Sequence, residues 1–249
     1  MNYNIWDKII SNCTTEDIRH FCLIDHLYRD MSLKYFKLYA KLDTDFNQLI
    51  YHNLEQIGFD PIIFCDNMYK SQLLMIGLFP LQCIVMESVS NINIHLYTKL
   101  SNYSKELDNP FHNYIINHEN YNDIYIDKFN SDVKIRVRYN INNINIYILY
   151  VDDNLPIIDY INKISYTSLC KTIYTGENIY LSDINTLNKC GYISTYKINN
   201  KIDDIDEIKN ILEKVAEYFD KKYLINNFNE FINKYKYNDK FKDIFEKYS

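Results

Sequence analysis

Apolar residues recur at helical spacing over the first fifty positions, alternate with polar ones through the middle of the chain, and return to helical spacing over the last fifty. Ile5, Trp6, Ile9 and Ile10 share one face of a short helix, and Thr14-Thr15-Glu16-Asp17 then offers an N-cap and first-turn acids for a second, carrying Ile18, Phe21, Cys22 and Leu23. A third segment, 27–42, places Leu27, Met31, Tyr35, Leu38 and Leu42 on one stripe with Arg29, Lys34, Lys37 and Lys41 off it. Three short helices are expected, with a boundary near residue 50.

From Leu73 the period changes to two. Runs at 73–76, 92–97, 124–126, 133–139 and 144–151 read as strands; Ile92, Ile94 and Leu96 alternate with Asn93, His95 and Tyr97, the pattern of a strand with one buried face. The apolar stretch 82–88 fits a short helix on the sheet, and 100–119, mostly polar with Pro110 inside it, fits a helix-and-loop insertion. A helix after Pro156, the segment 168–171, a turn at Thr175-Gly176-Glu177 and a strand 178–181 follow. Ile205, Ile208, Leu212, Val215 and Phe219 then mark a helix, and Phe228, Phe231, Ile232 and Tyr235 another after a break at Asn226-Asn227. No repeat of 20 to 50 residues is visible. The fold class expected is α+β: a helical N-terminal segment over 1–50, then one domain over 51–249 with a mixed-sheet core and a helical C-terminus.

The chain has 249 residues, 47% of them hydrophobic and 24% charged, enough to build a core without disulfides or metals. The net charge of -6 argues against sequence-independent nucleic-acid binding as the main task. No apolar run is long enough to span a membrane, and the opening Met1-Asn-Tyr-Asn-Ile-Trp6 lacks the marks of a signal peptide, so a cytoplasmic protein is expected. The six cysteines, Cys13, Cys22, Cys65, Cys83, Cys170 and Cys190, are widely spaced with no metal-ligand interval, as expected of reduced, mostly buried thiols. The 38 Ile, 32 Asn and 25 Tyr are residues of A/T-rich codons, so much of the Asn content reflects composition.

Over residues 4–40, the segments Ile5-Trp-Asp-Lys-Ile-Ile10, Thr15-Glu-Asp-Ile18, Phe21-Cys-Leu-Ile24 and Tyr28-Arg29 resemble an F-box, with Asn4-Ile5 standing where that family usually has Leu-Pro. The resemblance implies docking of a Skp-type adaptor of a cullin ubiquitin ligase through Ile5, Trp6, Ile9, Ile10, Ile18 and Phe21. The same helices also suit a simple cap in which Trp6, Ile9 and Phe21 form their own core.

Over residues 60–195, Leu73-Leu-Met-Ile-Gly-Leu-Phe79, Leu81-Gln-Cys-Ile84 and Ser90-Asn-Ile-Asn-Ile94 resemble the nucleotidyltransferase-fold signature of paralogous, uncharacterised proteins in giant DNA viruses of the mimivirus kind. The segments 164–170, 174–176 and 188–193 resemble downstream blocks of that group. There, a strand ends in Gly-Ser-Phe or Gly-Gly-Phe and the next strand carries Ser-Asp-Ile-Asp-Ile. Two acids at i and i+2 share a strand face and, with a third on a neighbouring strand, hold Mg²⁺ against a nucleoside triphosphate. This chain has Asn91 and Asn93 at the paired positions, Leu78 in place of the Ser after Gly77, and no Asp or Glu over 134–150. An amide oxygen carries no charge to offset the cation's. The resemblance therefore implies a degenerate cleft of Gly77, Leu78, Asn91, Asn93 and His95, with no catalytic residue, metal or cofactor.

The remaining polar features read as structural. Asp152 and Asp153 fit a solvated turn just past a strand end, the six histidines lack metal spacing, and Lys221, Lys222 and the lysines of 234–242 fit a solvated face because acids are interleaved. The expected protein is a non-catalytic adaptor or scaffold with a protein partner. A nucleotide-binding or nucleotidyl-transferring enzyme with atypical metal ligands is one alternative, and a structural viral interaction protein is another.

Overall fold

The computed structural model describes residues 40–41, 46–87, 93–103, 109–141, 144–182, 184–194, 202, 204–238 and 240–246. The N-terminal helices expected over 5–10 and 16–23, and most of the one over 27–42, lie outside these residues. The end of the third is not helical: Ala40–Lys41 is a strand, β1.

The described elements make a mixed α+β fold. Helices α1 (Asn47–Gln56) and α2 (Pro61–Lys70) precede β2 (Leu74–Ile76), α3 (Leu78–Ile84) and β3 (Asn93–Lys99). Then come α4 (Pro110–Ile116), the meander β4 (Tyr121–Lys128), β5 (Val133–Ile141) and β6 (Ile144–Val151), and α5 (Ile157–Ile164). After a 3-10 turn at Ser168–Lys171, the short strands β7 (Ile173–Tyr174) and β8 (Ile179–Leu181) return to the sheet. The chain ends in β9 (Cys190–Gly191), α6 (Ile205–Asp220), β10 (Leu224–Ile225), α7 (Phe228–Tyr235) and α8 (Lys242–Glu246).

Seven strands in the order β8-β7-β2-β3-β6-β5-β4, edged by the two-residue β1 on β8, form one sheet. All its neighbouring strands are antiparallel except β3 and β6, which run parallel over seven pairs from Asn93↔Asn145 to Lys99↔Val151. Strand β5 shows why alternation was legible: Val133, Ile135, Val137, Tyr139 and Ile141 are buried and every residue between them is half-buried. One sheet face, built from Ile94, Leu96, Val137, Tyr139, Ile146 and Ile148, packs against α1, α2 and α4 through Ile50, Leu54, Phe64 and Phe111. Phe64 meets Phe111 edge-on, with ring centroids 5.1 Å apart. On the other face α5 covers only part of the sheet, setting Ile157, Ile158 and Ile161 against Leu74, Ile76 and Tyr97. A separate core holds α6, α7 and α8 together and reaches α3 through Leu81.

Two expectations change. The helix expected over 82–88 begins four residues earlier, directly after Gly77; Pro80 fits there because the first helical turn leaves its N–H groups unpaired anyway. On α6 the buried stripe is Ile208, Ile211, Leu212, Val215 and Tyr218, while Ile205 and Phe219 stay 36% and 42% exposed. Helix α1 runs through position 50 and sets Ile50 and Leu54 in the main core.

One buried polar joint ties the insertion to the C-terminal end of α2. Asn109 caps α4, its Oδ1 accepting from the Phe111 and His112 N–H groups at 2.9 and 3.2 Å and from the Ser71 hydroxyl at 2.7 Å. Both side chains are buried. Asn109→Ala should lower the unfolding free energy by about 2–3 kcal/mol, a lost cap plus orphaned buried donors, and Asn109→Asp, which keeps the accepting oxygen, by less. Urea titration of the two variants checks this; equal midpoints would mean the joint adds nothing.

Candidate functional site

Strand β2 ends at Gly77, whose φ of 104° and ψ of −134° are open only to glycine at low cost. Its N–H donates to the Thr172 carbonyl at 3.0 Å, fixing the turn from which α3 leaves. Beside that turn the part of the sheet that α5 leaves uncovered faces α6 across a cavity of about 620 Å³, a volume suited to a small organic ligand. Asn93, His95 and Tyr97 of β3 form its floor, Gly77, Leu78, Phe79 and Gln82 one wall, and Lys214, Glu217, Tyr218 and Lys221 of α6 the opposite wall. Four of the residues singled out in the sequence, Gly77, Leu78, Asn93 and His95, thus meet at one place. Asn91 lies outside the described residues, as do Ile5, Trp6, Ile9, Ile10, Ile18 and Phe21.

Asn93 ends a row of amides. Asn122 of β4 donates to Asn140 of β5 at 3.1 Å, Asn140 to Asn145 of β6 at 3.3 Å, and Asn145 to Asn93 at 3.3 Å. The parallel register sets Asn145 directly beside Asn93, so the neighbouring strand also brings an amide to this position. The row is neutral, and each amide is engaged by the next.

Charge enters from the helix instead. Glu217 bridges two ammonium groups, Lys214 at 2.5 Å and Lys221 at 3.2 Å. Burial alone would raise its carboxyl, but these two partners outweigh that and hold it below the usual range. Among the described residues Glu217 is the only carboxylate in the cavity wall, against two lysines. His95 has its pKa lowered, first by burial and then by Lys214 and Arg136, which keeps the imidazole neutral. Its ring packs against Tyr147 with centroids 5.1 Å apart. Also lining the cavity, the Cys170 thiol and the Tyr218 hydroxyl lie 3.1 Å apart.

The other candidates are structural. Asp152 pairs with Lys134 at 3.2 Å and caps the turn through the Asn154 N–H, while Asp153 accepts from the Ser101 N–H at 3.0 Å. Both follow the end of β6 opposite to Asn145. His112 bonds the Tyr139 hydroxyl at 2.7 Å, and His118 the Gly58 carbonyl at 3.1 Å. Among the described residues no group of three or more His, Cys, Asp or Glu side chains is placed to hold a metal ion. Cys65 and Cys83 are buried, Cys170 and Cys190 half-buried, and all four are free thiols. No helix of the described residues is long and apolar enough to cross a membrane.

Sequence reasoning missed Gln82, Lys214 and Glu217, and it assigned Lys221 to a solvated face, whereas Lys221 lies in the cavity wall. The signal was the spacing 214, 217, 221 on a helix with a well-marked apolar stripe: these positions lie together, one and two turns apart. Comparison with protein-family models and with curated proteins finds no match for the chain.

A histidine held neutral in the folded state and free to protonate in the unfolded one contributes stability that is whole above the unfolded value, about 6.5, and is lost as pH falls below it. The urea midpoint should therefore drop more between pH 7.5 and 5.5 for the unaltered protein than for His95→Gln. Equal drops would show that His95 does not carry this dependence.

Proposed function

We propose that the chain is a non-catalytic adaptor or scaffold whose degenerate, nucleotidyltransferase-like cleft serves recognition and not turnover. The observation that carries this reading is the amide row from Asn122 to Asn93, which ends at one of the two positions where the resemblance puts paired acids and brings Asn145, an amide, to it from the neighbouring strand. Two-metal phosphoryl chemistry needs several carboxylates to hold and neutralise its cations, and the one carboxylate that the described residues bring to the cavity wall is already shared by two lysines. In this reading the F-box-like segment recruits a Skp-type adaptor, and the protein works in the cytoplasm, that of a host cell if it is viral.

Two measurements test the proposal. Incubation with ATP, GTP, CTP or UTP and Mg²⁺ or Mn²⁺ should yield no pyrophosphate and no nucleotidylated product; clear metal-dependent transfer would make the protein an enzyme with atypical ligands instead. Immobilised full-length protein should retain a Skp-type adaptor, and Trp6→Ala or Ile9→Asp should abolish that capture without changing the melting temperature. A fall in melting temperature from loss of a core tryptophan, typically worth about 3–5 kcal/mol, with no capture by any form, would assign the helices to the protein's own core and remove the ligase connection.

A further inference from the structure

Gln82 is 5% exposed and lines the cavity, and its side-chain amide has no hydrogen-bond partner among the described residues. The buried side-chain atoms without a partner among the described residues are the Tyr114, Thr186 and Tyr223 hydroxyl oxygens, so the Gln82 amide is open to the cavity and can meet a ligand there. Nearby, the imidazole of His95 also makes no hydrogen bond among the described residues, and each ammonium of Lys214 and Lys221 has donors left over after its bond to Glu217. Two positive charges share one negative charge, so the described wall carries a net positive charge, with no second carboxylate among the described residues to take it up.

We propose that the cavity binds a small organic phosphate without a divalent metal, its phosphate oxygens between Lys214, Lys221 and Gln82 and its organic body against Phe79, Ile161 and Ile164. This inference rests on the reading of the cleft as a recognition pocket. A phosphate offers three terminal oxygens and so suits several converging donors better than a carboxylate with two. Lysine meets it as a point charge and needs no bridging cation. The amide row leaves no competing anion on the sheet floor. A cavity of about 620 Å³ leaves room beyond the phosphate for an apolar group, which the two isoleucines of α5 and Phe79 of α3 would take out of water.

Isothermal titration with phenyl phosphate in EDTA at low ionic strength tests the proposal. The full chain should bind it, more tightly than inorganic phosphate and with no binding of phenol. Lys214→Met and Lys221→Met should each weaken binding at least tenfold. Glu217→Gln, which frees both ammonium groups, should tighten it, an effect of opposite sign that damage to the fold would not produce. Absence of binding in EDTA, or binding that all three variants leave unchanged, overturns the phosphate site while the recognition reading stands. Binding that appears only when Mg²⁺ is supplied overturns both, since it would reveal a metal centre.

Discussion

The parallel pairing of β3 with β6 is the constraint on which the site depends. It is the one parallel contact in the eight-stranded sheet, and it extends over seven residue pairs. Because side chains alternate along a strand, this register decides that Ile94, Leu96, Ile146 and Ile148 go into the main core together while Asn93, His95, Asn145 and Tyr147 go to the other face. A one-residue slip of β3 would bury Asn93 and His95 and expose Ile94 and Leu96. The hydrophobic pattern therefore holds the polar floor in place although that floor contributes little burial of its own.

What faces this floor is set by a second, independent core. The apolar stripe of α6 is occupied with α7 and α8, which turns Lys214, Glu217 and Lys221 toward the sheet. Helix α3 joins the two cores, with Phe79 and Cys83 in one and Leu81 in the other. Gly77 fixes where that helix starts. The cavity is thus a seam between two cores, floored by neutral groups and walled on one side by cations, and its chemistry differs from that of a cation site because the charge has the opposite sign.

Much of this was legible along the chain. Strands β5 and β6 alternate so regularly that β6 was bounded correctly and β5 fell short only by its last two residues, and the glycine before Leu78, with the polar residues of 93 and 95, pointed to the cleft. The α6 wall was not legible, because a lysine on the polar side of an amphipathic helix has the same pattern whether it meets water or a facing sheet. Gln82 was hidden for a related reason: inside the apolar run 81–84 it reads as an exception to burial, when it is buried and aimed into a cavity. The start of α3 was misplaced because Pro80 suggests a break until its position in the first turn is known.

The floor of the cleft carries amides in place of a dication site. Titration of the protein into Mn²⁺ solution, followed by the electron paramagnetic resonance of the free hexaaqua ion, measures this. The six-line signal should keep its full intensity as protein is added past equivalence. A stoichiometric loss of that signal, restored by Asn93→Ala, would contradict it.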